Sequence, residues 1–462
     1  MAQLRRFFSR TWELRLLALV IGIGLLGFTL VTAATQLRQG IEPLSNWTPA
    51  LLPPALLALA LLTLHALLCW RQTQSEQLIL PIVGLLVTIG LIIIWRLRPP
   101  TAVWQQLLRG FVPGVGLMAI LILRPRLVER IRQEWPLLIS LGGLILLFLT
   151  AFFGVTDETG ARLSLKLGPL PAIQTSEMIK LALIIFLAWY IESEGQAAEG
   201  RARTFLGWLR LPAIQYMIPG VLFVSIATLA LIMMSDFGAI LILGGLFVIM
   251  LYAGFQSRIF FTIFGIGLAL SLLMAVVLAF TWSPPQVIQQ RFAAYVNPWS
   301  NAPLIINGQP IGTTIAEGPG YQIQQAIYAT IAGGVSGTGL GFGYPGFVPL
   351  SHSDFIFAAI LEEMGAAIAI ALLGLFAILL LRLLRVAMLL PTEQVFERIL
   401  LVGIAAHLFI QVTVMVGGTL NALPLTGVTV PFLSQGGIAL MVNLTEIGLV
   451  LALMQRLKEQ PR

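Results

Sequence analysis

Charge is scarce in this sequence, because only 10% of its 462 residues are Asp, Glu, Lys or Arg while 58% are hydrophobic. Soluble domains carry about 25% charged residues, so a water-soluble globular fold is excluded. The mean hydropathy of +0.93 indicates a polytopic membrane protein. One helical bundle in lipid can then take up the whole chain.

Cysteine is almost absent as well, with Cys69 as its sole example. One thiol cannot build a disulfide framework or a cysteine-based metal site, and no metal-binding residues are predicted. The net charge of +7 does not indicate nucleic acid as a partner, because the basic residues lie in short loops between apolar runs. The predicted surroundings are therefore a membrane.

Long apolar runs fill most of the chain, and a membrane-spanning helix needs about 20 apolar residues. Twelve spans are predicted, near residues 15–34, 51–70, 78–95, 104–123, 136–153, 176–192, 214–233, 237–254, 259–281, 354–381, 399–418 and 436–455. The weakest are 104–123 and 176–192, which carry charged residues. Lipid offers no hydrogen-bond partner to an open strand edge, so we expect an all-α fold.

The basic residues also predict the orientation. With a cytoplasmic N-terminus, 19 of the 27 lysines and arginines fall on the cytoplasmic side. This positive-inside bias predicts that both termini are cytoplasmic. It also makes residues 283–353 a large extracytoplasmic loop.

Several ionisable residues begin the predicted spans, where such groups usually face a bundle interior or a wet cavity. Glu177 and Lys180 are one helical turn apart and can form an ion pair. A structural lock between helices and a charge that binds a ligand both stay open for this pair. Asp236 directly precedes a span, where its carboxylate can cap the amides of Gly238 and Ala239.

The loop and its far edge hold further candidates. His352 and Asp354 place an imidazole and a carboxylate at one outer mouth, a combination suited to general-base work or to binding phosphate. Asp354 can equally cap the span that it opens. Glu362 or Glu363 lies two turns further along, where one of them can face a cavity. Glycines over 333–346 allow close backbone approach and amide-lined concavities.

Six segments in one order resemble the SEDS family (RodA, FtsW, SpoVE), the polytopic cell-wall glycan polymerases of bacteria. They read TGARLSLKLGPLPAIQTSEMIKLALIIFLA, SDFGAILILGGLFVIMLYAG, RFAAYVNPWSNAP, GYQIQQAIYATIAGGVSGTGLGFG, VPLSHSDFIFAAILEEMG and NALPLTGVTVPFLSQGGIALMVNL. The resemblance covers about 78–455 and implies a ten-span core. Residues 1–77 are then an N-terminal two-span extension, and 78–462 a SEDS-like membrane domain.

The resemblance implies a peptidoglycan glycosyltransferase of the bacterial plasma membrane that polymerises lipid II into glycan strands during elongation or division. The donor is the growing glycan on undecaprenyl pyrophosphate, and the nucleophile is the 4-hydroxyl of an incoming lipid II. A loop carboxylate acts as base, and cationic groups balance the leaving pyrophosphate. The implied protein partner is a class B penicillin-binding protein. No cofactor is firmly implied, and a divalent cation stays an open alternative.

The sequence departs from the family at the position of the usual loop acid, two residues after NPW, which here is Asn301. An amide cannot accept a proton at neutral pH. About 20 residues, many more than is usual in the family, then separate this position from GYQ, and this insertion contains Glu317. The catalytic candidates are therefore Glu317, Asp354 and the Asn301 position itself. The substrate-binding candidates are Lys180, Glu177, Arg291, His352, Gln322, Glu363 and Asp236.

Three functions remain open at this point. The first is an active lipid II polymerase in which Glu317 or Asp354 has taken over the role of the base. The second is a catalytically lapsed relative that binds a lipid-linked precursor or a partner. The third is a lipid II flippase or transporter, which the absence of two-half symmetry and the clustering of charge at the outer face disfavour.

Overall fold

A computed structural model describes residues 10–43, 45, 47–71, 76–156, 162–166, 168, 172–200, 203–205, 209–211, 218–254, 286–306 and 309–459. Its helices are α1 (Thr11–Arg38), α2 (Thr48–Trp70), α3 (Ile79–Leu97), α4 (Pro100–Gln106), α5 (Val112–Leu123), α6 (Arg126–Gln133), α7 (Pro136–Phe153), α8 (Thr175–Gly200), α9 (Ile218–Met234), α10 (Phe237–Gly254), α11 (Gln286–Val296), α12 (Pro319–Gly333), α13 (Ile356–Leu389), α14 (Val395–Thr419) and α15 (Gly437–Glu459). Three antiparallel hairpins pair β1 (Val155–Thr156) with β2 (Arg162–Ser164), β3 (Arg203–Phe205) with β4 (Leu209–Leu211), and β5 (Pro303–Ile306) with β6 (Gln309–Thr314).

In the described part of the chain, nine helical segments are long and apolar enough to cross a membrane. They are α1, α2, α3, the stretch Pro100–Leu123, α7, α10, α13, α14 and Gly437–Gln455 of α15. The all-α polytopic membrane fold is thereby confirmed, and the short hairpins lie outside these nine segments. The predicted number of twelve spans is not confirmed. Helix α9 has only 17 residues, α8 is not among the nine, and 259–281 lies outside the described residues.

The stretch Pro100–Leu123, one of the two weak spans in the hydropathy pattern, is an irregular helix. Helices α4 and α5 are joined by a π-helical turn, Leu107–Phe111, which contains Arg109. Pro113 lies at the start of α5 and has no backbone N–H to donate to the preceding turn, a common origin of such irregularities. The backbone comes close to α15 here, since a Cβ on Gly110 would lie 2.6 Å from the Gly437 oxygen.

The chain folds as two compact units. The terminal unit comprises Met1–Val128, Pro319–Leu383 and Gln411–Arg462. The central unit comprises Glu129–Gly318 and Leu384–Ile410. The functional candidates divide between these units.

In the terminal unit, α1 packs along α3 through small residues on its buried face. A Cβ on Gly27 would lie 2.4 Å from Ile92 Cδ1, so glycine permits this close approach. Nearer the end of the helices, the rings of Phe28 and Trp95 are 5.5 Å apart. Trp95 Nε1 donates a hydrogen bond to Thr32 Oγ1 at 3.2 Å. The N-terminal extension is therefore packed against a helix of the SEDS-like region.

In the central unit, α8 is the buried helix, and α7 and α10 pack against it. Gly143 lets α7 approach, since a Cβ there would lie 3.1 Å from Ala182 Cβ. Helix α14 also packs on α8, and it comes closer through Gly403, where an added Cβ would lie 2.7 Å from Ile184 Cγ2. This burial places the first turn of α8 inside the unit.

Candidate functional site

The first turn of α8 carries a buried ion pair in the central unit. Lys180 Nζ lies 2.7 Å from Glu177 Oε2, and the two residues are only 1% and 5% exposed. The hydroxyl of Thr175 donates to Thr150 Oγ1 at 2.8 Å and fixes the start of α8 on α7. The ion pair predicted from the i, i+3 spacing is thus confirmed.

Asp236 joins this pair to form a three-residue charged cluster, Glu177–Lys180–Asp236. Asp236 Oδ1 accepts a hydrogen bond from the Ala239 amide at 3.0 Å, so the predicted cap of α10 is present. The residue is half-buried, and desolvation of its carboxyl raises its pKa, while the Ala239 amide and the Lys180 charge oppose this rise. One cation therefore serves two carboxylates.

The central unit also contains the NPW motif of the loop. Asn297 follows α11, and its Oδ1 accepts a hydrogen bond from the Trp299 amide at 3.2 Å. This Asx turn leads the chain to Asn301, which is exposed. Arg291 lies on α11 and is half-buried.

The residues between Asn301 and Glu317 form the β5–β6 hairpin, in which Pro303 pairs with Thr314. The hydrogen-bonded pairing continues beyond the ends of the strands that are far from the turn, where the Ile315 amide donates to the Ala302 oxygen at 3.2 Å. The Ala316 amide donates to the Ser300 oxygen at 3.0 Å. The insertion thus returns the chain to where it began, and Glu317 and Asn301 both lie at the base of the hairpin.

The carboxylate of Glu317 is held at this base. Thr314 Oγ1 donates to Glu317 Oε2 at 3.2 Å and accepts a hydrogen bond from the Glu317 amide at 3.2 Å. The Glu317 side chain is exposed, so it combines a fixed backbone with access to solvent.

In the terminal unit, the turn at His352 and Asp354 is docked on residues 434–435. The Gln435 amide donates to the His352 oxygen at 2.9 Å, and Ser434 Oγ donates to the Ser353 oxygen at 2.7 Å. His352 and Asp354 are both half-buried. The two predicted neighbours therefore share one anchored turn.

Arg98 is a neighbour of His352 that sequence reasoning did not select. Burial, and secondarily the Arg98 guanidinium, lower the pKa of His352 to about 4. The imidazole is therefore neutral at physiological pH and can accept a proton or a hydrogen bond. The signal in the sequence was the RLR triplet at the end of α3, directly before two prolines.

Glu362 and Glu363 hold the Gly-rich loop, defined here as residues 334–347. Glu363 Oε1 lies 2.9 Å from Arg96 Nε, and its Oε2 accepts from the Gly341 amide at 3.0 Å. Glu362 Oε1 accepts from the Tyr344 amide at 2.5 Å. Both carboxylates accept hydrogen bonds from other groups of the protein. The substrate-binding role predicted for Glu363 stays a prediction.

The same loop lies directly against a break in α13. Gly365 has φ 81° and ψ 169° within this helix. A Cβ at Gly365 would lie 2.4 Å from the Gly337 nitrogen, and one at Gly337 2.3 Å from the Glu363 oxygen. Two glycines therefore permit the close contact that the acids then secure.

Helix α12 carries Gln322 and packs on a small apolar cluster. Ala326, Ala329, Val348, Phe355 and Ala358 form this cluster. Gln322 is half-buried one turn before Ala326. The cluster joins α12, the end of the loop and the start of α13.

Strained backbone positions lie beside two of the candidates, Asp236 and His352. Among the described non-glycine residues, four have positive φ: Ser235, Leu350, Asn421 and Phe432. Ser235 directly precedes Asp236, Leu350 lies two residues before His352, and Phe432 lies two before Ser434. Strain of this kind is retained where the surroundings over-determine it, frequently at functional sites.

Within the residues that the structure describes, no group of three or more His, Cys, Asp or Glu side chains could hold a metal ion. In the Glu177–Lys180–Asp236 cluster, Lys180 already supplies positive charge to both carboxyl groups. The residues of this cluster do not fit a resident divalent cation.

Comparisons with known proteins agree with the motif order. The FTSW_RODA_SPOVE family, described as "Cell cycle protein", matches residues 76–459. Peptidoglycan glycosyltransferase RodA of Mycobacterium tuberculosis is 30% identical over 84% of this chain and 79% of its own. Stage V sporulation protein E of Bacillus subtilis is 30% identical over 82% of this chain and 97% of its own.

Solved structures show the same fold. A chain from a peptidoglycan synthase complex that coordinates polymerization and crosslinking matches with a TM-score of 0.65 and 26% identity, over 84% of this chain and 99% of that one. The crystal structure of Thermus thermophilus RodA matches with a TM-score of 0.55 and 24% identity, over the same shares. Residues 1–75 precede the family match.

Proposed function

The chain belongs to the FtsW/RodA/SpoVE family, and we propose that it polymerises lipid II into glycan strands at the outer face of the bacterial plasma membrane. Its multi-pass apolar helices place it in a membrane. The name of the relative peptidoglycan glycosyltransferase RodA supports cell-wall glycan polymerisation as the activity. Donor and acceptor are both lipid-linked saccharides.

The observation that carries this proposal is the hairpin that returns Glu317 to Asn301. The family's loop acid is an amide here, and a polymerase needs a base for the acceptor hydroxyl. The Ala316–Ser300 hydrogen bond puts a carboxylate-bearing residue back at the same level of the loop. The insertion after Asn301 thus carries Glu317, which we propose as the substitute for the family's acid.

The reaction is a displacement at a sugar carbon. Glu317 takes the proton from the 4-hydroxyl of the incoming lipid II, and that oxygen forms a bond to C1 of the growing glycan. The bond from C1 to the pyrophosphate oxygen breaks, and undecaprenyl pyrophosphate leaves with the electron pair. Arg291 of the central unit supplies positive charge to the leaving group. The substrate-binding role of Lys180 stays a prediction, because its charge is buried and paired with Glu177.

The terminal unit has its own set of polar candidates. Gln322 and Asp354 can bind sugar hydroxyls through an amide and a carboxylate. His352 is neutral at physiological pH, so its imidazole can accept a hydrogen bond from the same kind of group. None of these three side chains is needed as the base if Glu317 serves.

We further propose that both termini are cytoplasmic and that 283–353 is extracytoplasmic. The positive-inside bias supports this orientation. The C-terminal ends of α1 and α3 support it too, because Arg38 and Arg96 lie there and both contact the Gly-rich loop. The loop therefore lies on the side of the membrane opposite to the start of α1. A class B penicillin-binding protein is the proposed partner, and the synthase complex among the structural neighbours supports such an assembly.

A second candidate function is favoured by Asn301 itself. A relative without the usual acid, and without a working substitute, would bind the lipid-linked precursor but not polymerise it. Purified protein in detergent with fluorescent lipid II separates the two, with glycan length read on a gel. Polymer formation above a protein-free control supports the polymerase. Retention of labelled lipid II without polymer would overturn it in favour of the binding protein.

A further inference from the structure

Helix α1, which precedes the family match, ends against the Gly-rich loop. Arg38 is the last residue of α1, and its guanidinium donates a hydrogen bond to the Phe342 oxygen. The same guanidinium carbon lies 4.7 Å from the centre of the Tyr344 ring. A Cβ on Gly341 would lie 2.5 Å from Ala34 Cβ, so the loop backbone rests directly on the helix.

The other side of the loop is held from the family core. Arg96 Nη2 donates to the Gly343 oxygen at 3.1 Å, and Arg96 also pairs with Glu363. Arg96 follows Trp95, which packs on α1 through Phe28 and Thr32. Helix α1 therefore contacts the loop directly, through Ala34 and Arg38. It also supports the loop indirectly, because it packs on α3, which carries Arg96.

The composition of the loop makes its contacts with α1, α3 and α13 important for its conformation. Four of its glycines have positive φ, namely Gly334, Gly337, Gly339 and Gly341. Glycine loses more conformational freedom on ordering than any other residue. The loop also exposes Phe342, Tyr344 and Phe347, each by more than half. An unbraced loop of this composition would populate many conformations.

We propose that helix α1 of the N-terminal extension is a brace for the Gly-rich loop, with Arg38 as its positioning residue, and that the braced loop raises the affinity for lipid-linked substrate. The affinity part rests on the proposed polymerase function, and the brace part does not. The loop joins α12, which carries Gln322, to the turn that carries His352. Its conformation therefore affects the relative positions of these two side chains. Arg38 acts through the loop and does not itself take part in the reaction.

The expected kinetic signature follows from population arithmetic. If only a fraction of molecules has the loop in its binding conformation, apparent affinity falls by that fraction. Saturating substrate restores the ordered loop. Loss of one charge-assisted hydrogen bond and one cation–π contact should raise KM about 5- to 30-fold and leave kcat within about twofold. A purely structural role would instead lower the folded amount and leave KM unchanged.

The experiment compares the full-length wild type with Arg38→Ala, Tyr344→Ala, the double variant and Arg38→Lys. Arg15→Ala is the matched control, because Arg15 lies over the Trp12 ring at 5.4 Å on the same helix but at its other end. The first readout is amide hydrogen exchange of the peptides that cover 334–347. The second is lipid II polymerisation as a function of lipid II concentration.

We expect faster exchange over 334–347 in Arg38→Ala and Tyr344→Ala, no further increase in the double variant, and partial recovery in Arg38→Lys. Arg15→Ala should match the wild type. Unchanged exchange in Arg38→Ala would overturn the brace whatever the enzyme does. Faster exchange with an unchanged KM would overturn the link to substrate affinity. If the wild type forms no polymer, the proposed function fails, and the affinity of the same variants for fluorescent lipid II then decides this link.

Discussion

The backbone amide of Ala316 donates a hydrogen bond to the carbonyl oxygen of Ser300 over 3.0 Å. This bond closes the base of a hairpin whose two ends hold Asn301 and Glu317. An insertion that separates the family's acid position from the GYQ motif along the chain therefore brings the backbone of an acidic residue, Glu317, back to the base of the hairpin that begins at Asn301. The catalytic prediction depends on this contact.

Glu317→Gln should lower glycan polymerisation about 10²- to 10⁴-fold, since that is the usual effect of removing a general base. Asn301→Asp should raise the activity of the wild type and rescue Glu317→Gln, because it restores a carboxylate at the same level of the loop. Both rates are measured with purified protein and fluorescent lipid II.

The control for this pair is Glu393→Gln, which alters an exposed acid in the loop between α13 and α14. It should leave the rate unchanged. Wild-type activity that survives Glu317→Gln at full rate would show that another group is the base.

Removal of Lys180 should destabilise the protein strongly. Lys180→Met leaves the buried carboxylate of Glu177 without its partner, a change that typically costs about 3–5 kcal/mol. The double variant Lys180→Met/Glu177→Gln should be more stable than Lys180→Met alone, because it removes the orphaned charge. The measurement is the apparent melting temperature in detergent, with the exposed Lys166→Met as control. A double variant less stable than the single one would contradict this account.

The depressed pKa of His352 predicts a pH dependence of stability. Between about 4 in the folded protein and about 6.5 in the unfolded chain, the unfolded state binds the extra proton. Stability should therefore rise with pH across this window and fall as the solution is acidified.

Arg98→Gln should raise the pKa of His352 toward 6.5, because it removes the positive charge that disfavours the imidazolium. NMR of ¹³C-labelled histidine can follow this, since the chain has only 3 histidines and His352→Gln assigns the signal. Arg124→Gln, at the other end of the α4–α5 stretch, should leave the pKa where it is. An equal shift in both variants would mean that Arg98 has no special effect on His352.

Gly365→Ala should destabilise the protein and loosen the Gly-rich loop. The residue has φ 81°, and a Cβ would meet the Gly337 nitrogen at 2.4 Å. With ψ at 169° this backbone conformation is one that essentially only glycine adopts, and it costs another residue about 1–3 kcal/mol. Gly374→Ala on the same helix has nothing within 4 Å of the new Cβ and should stabilise it by about 0.5–1 kcal/mol. Melting temperatures that move the same way in both variants would contradict the close-approach argument.

Reporter fusions test the orientation. A reporter inserted between α1 and α2, near Gly40, should score as extracytoplasmic, because Arg38 reaches the Gly-rich loop. A reporter after Arg462 should score as cytoplasmic. An extracytoplasmic signal at Arg462 would reverse the orientation and with it the assignment of the loop.

The sequence alone determined the features that depend on neighbours along the chain. Hydropathy over about 20 residues fixes a spanning helix, because lipid forces backbone hydrogen bonds to close within the segment. The spacing of Glu177 and Lys180 fixes their pairing, since residues three apart share a helix face. The position of Asp236 directly before a helix fixes its cap. The motif order fixed the family.

The tertiary structure alone decided which distant residues meet. Arg38 and Phe342 are 304 positions apart, and Arg96 and Glu363 are 267 apart. No periodicity relates such pairs, because a helical pattern specifies a buried face but not the partner that covers it. The return of Glu317 to Asn301, the effect of Arg98 on His352, and the use of Glu363 as a loop anchor all arise from packing, which decides contacts by shape and by the satisfaction of buried polar groups.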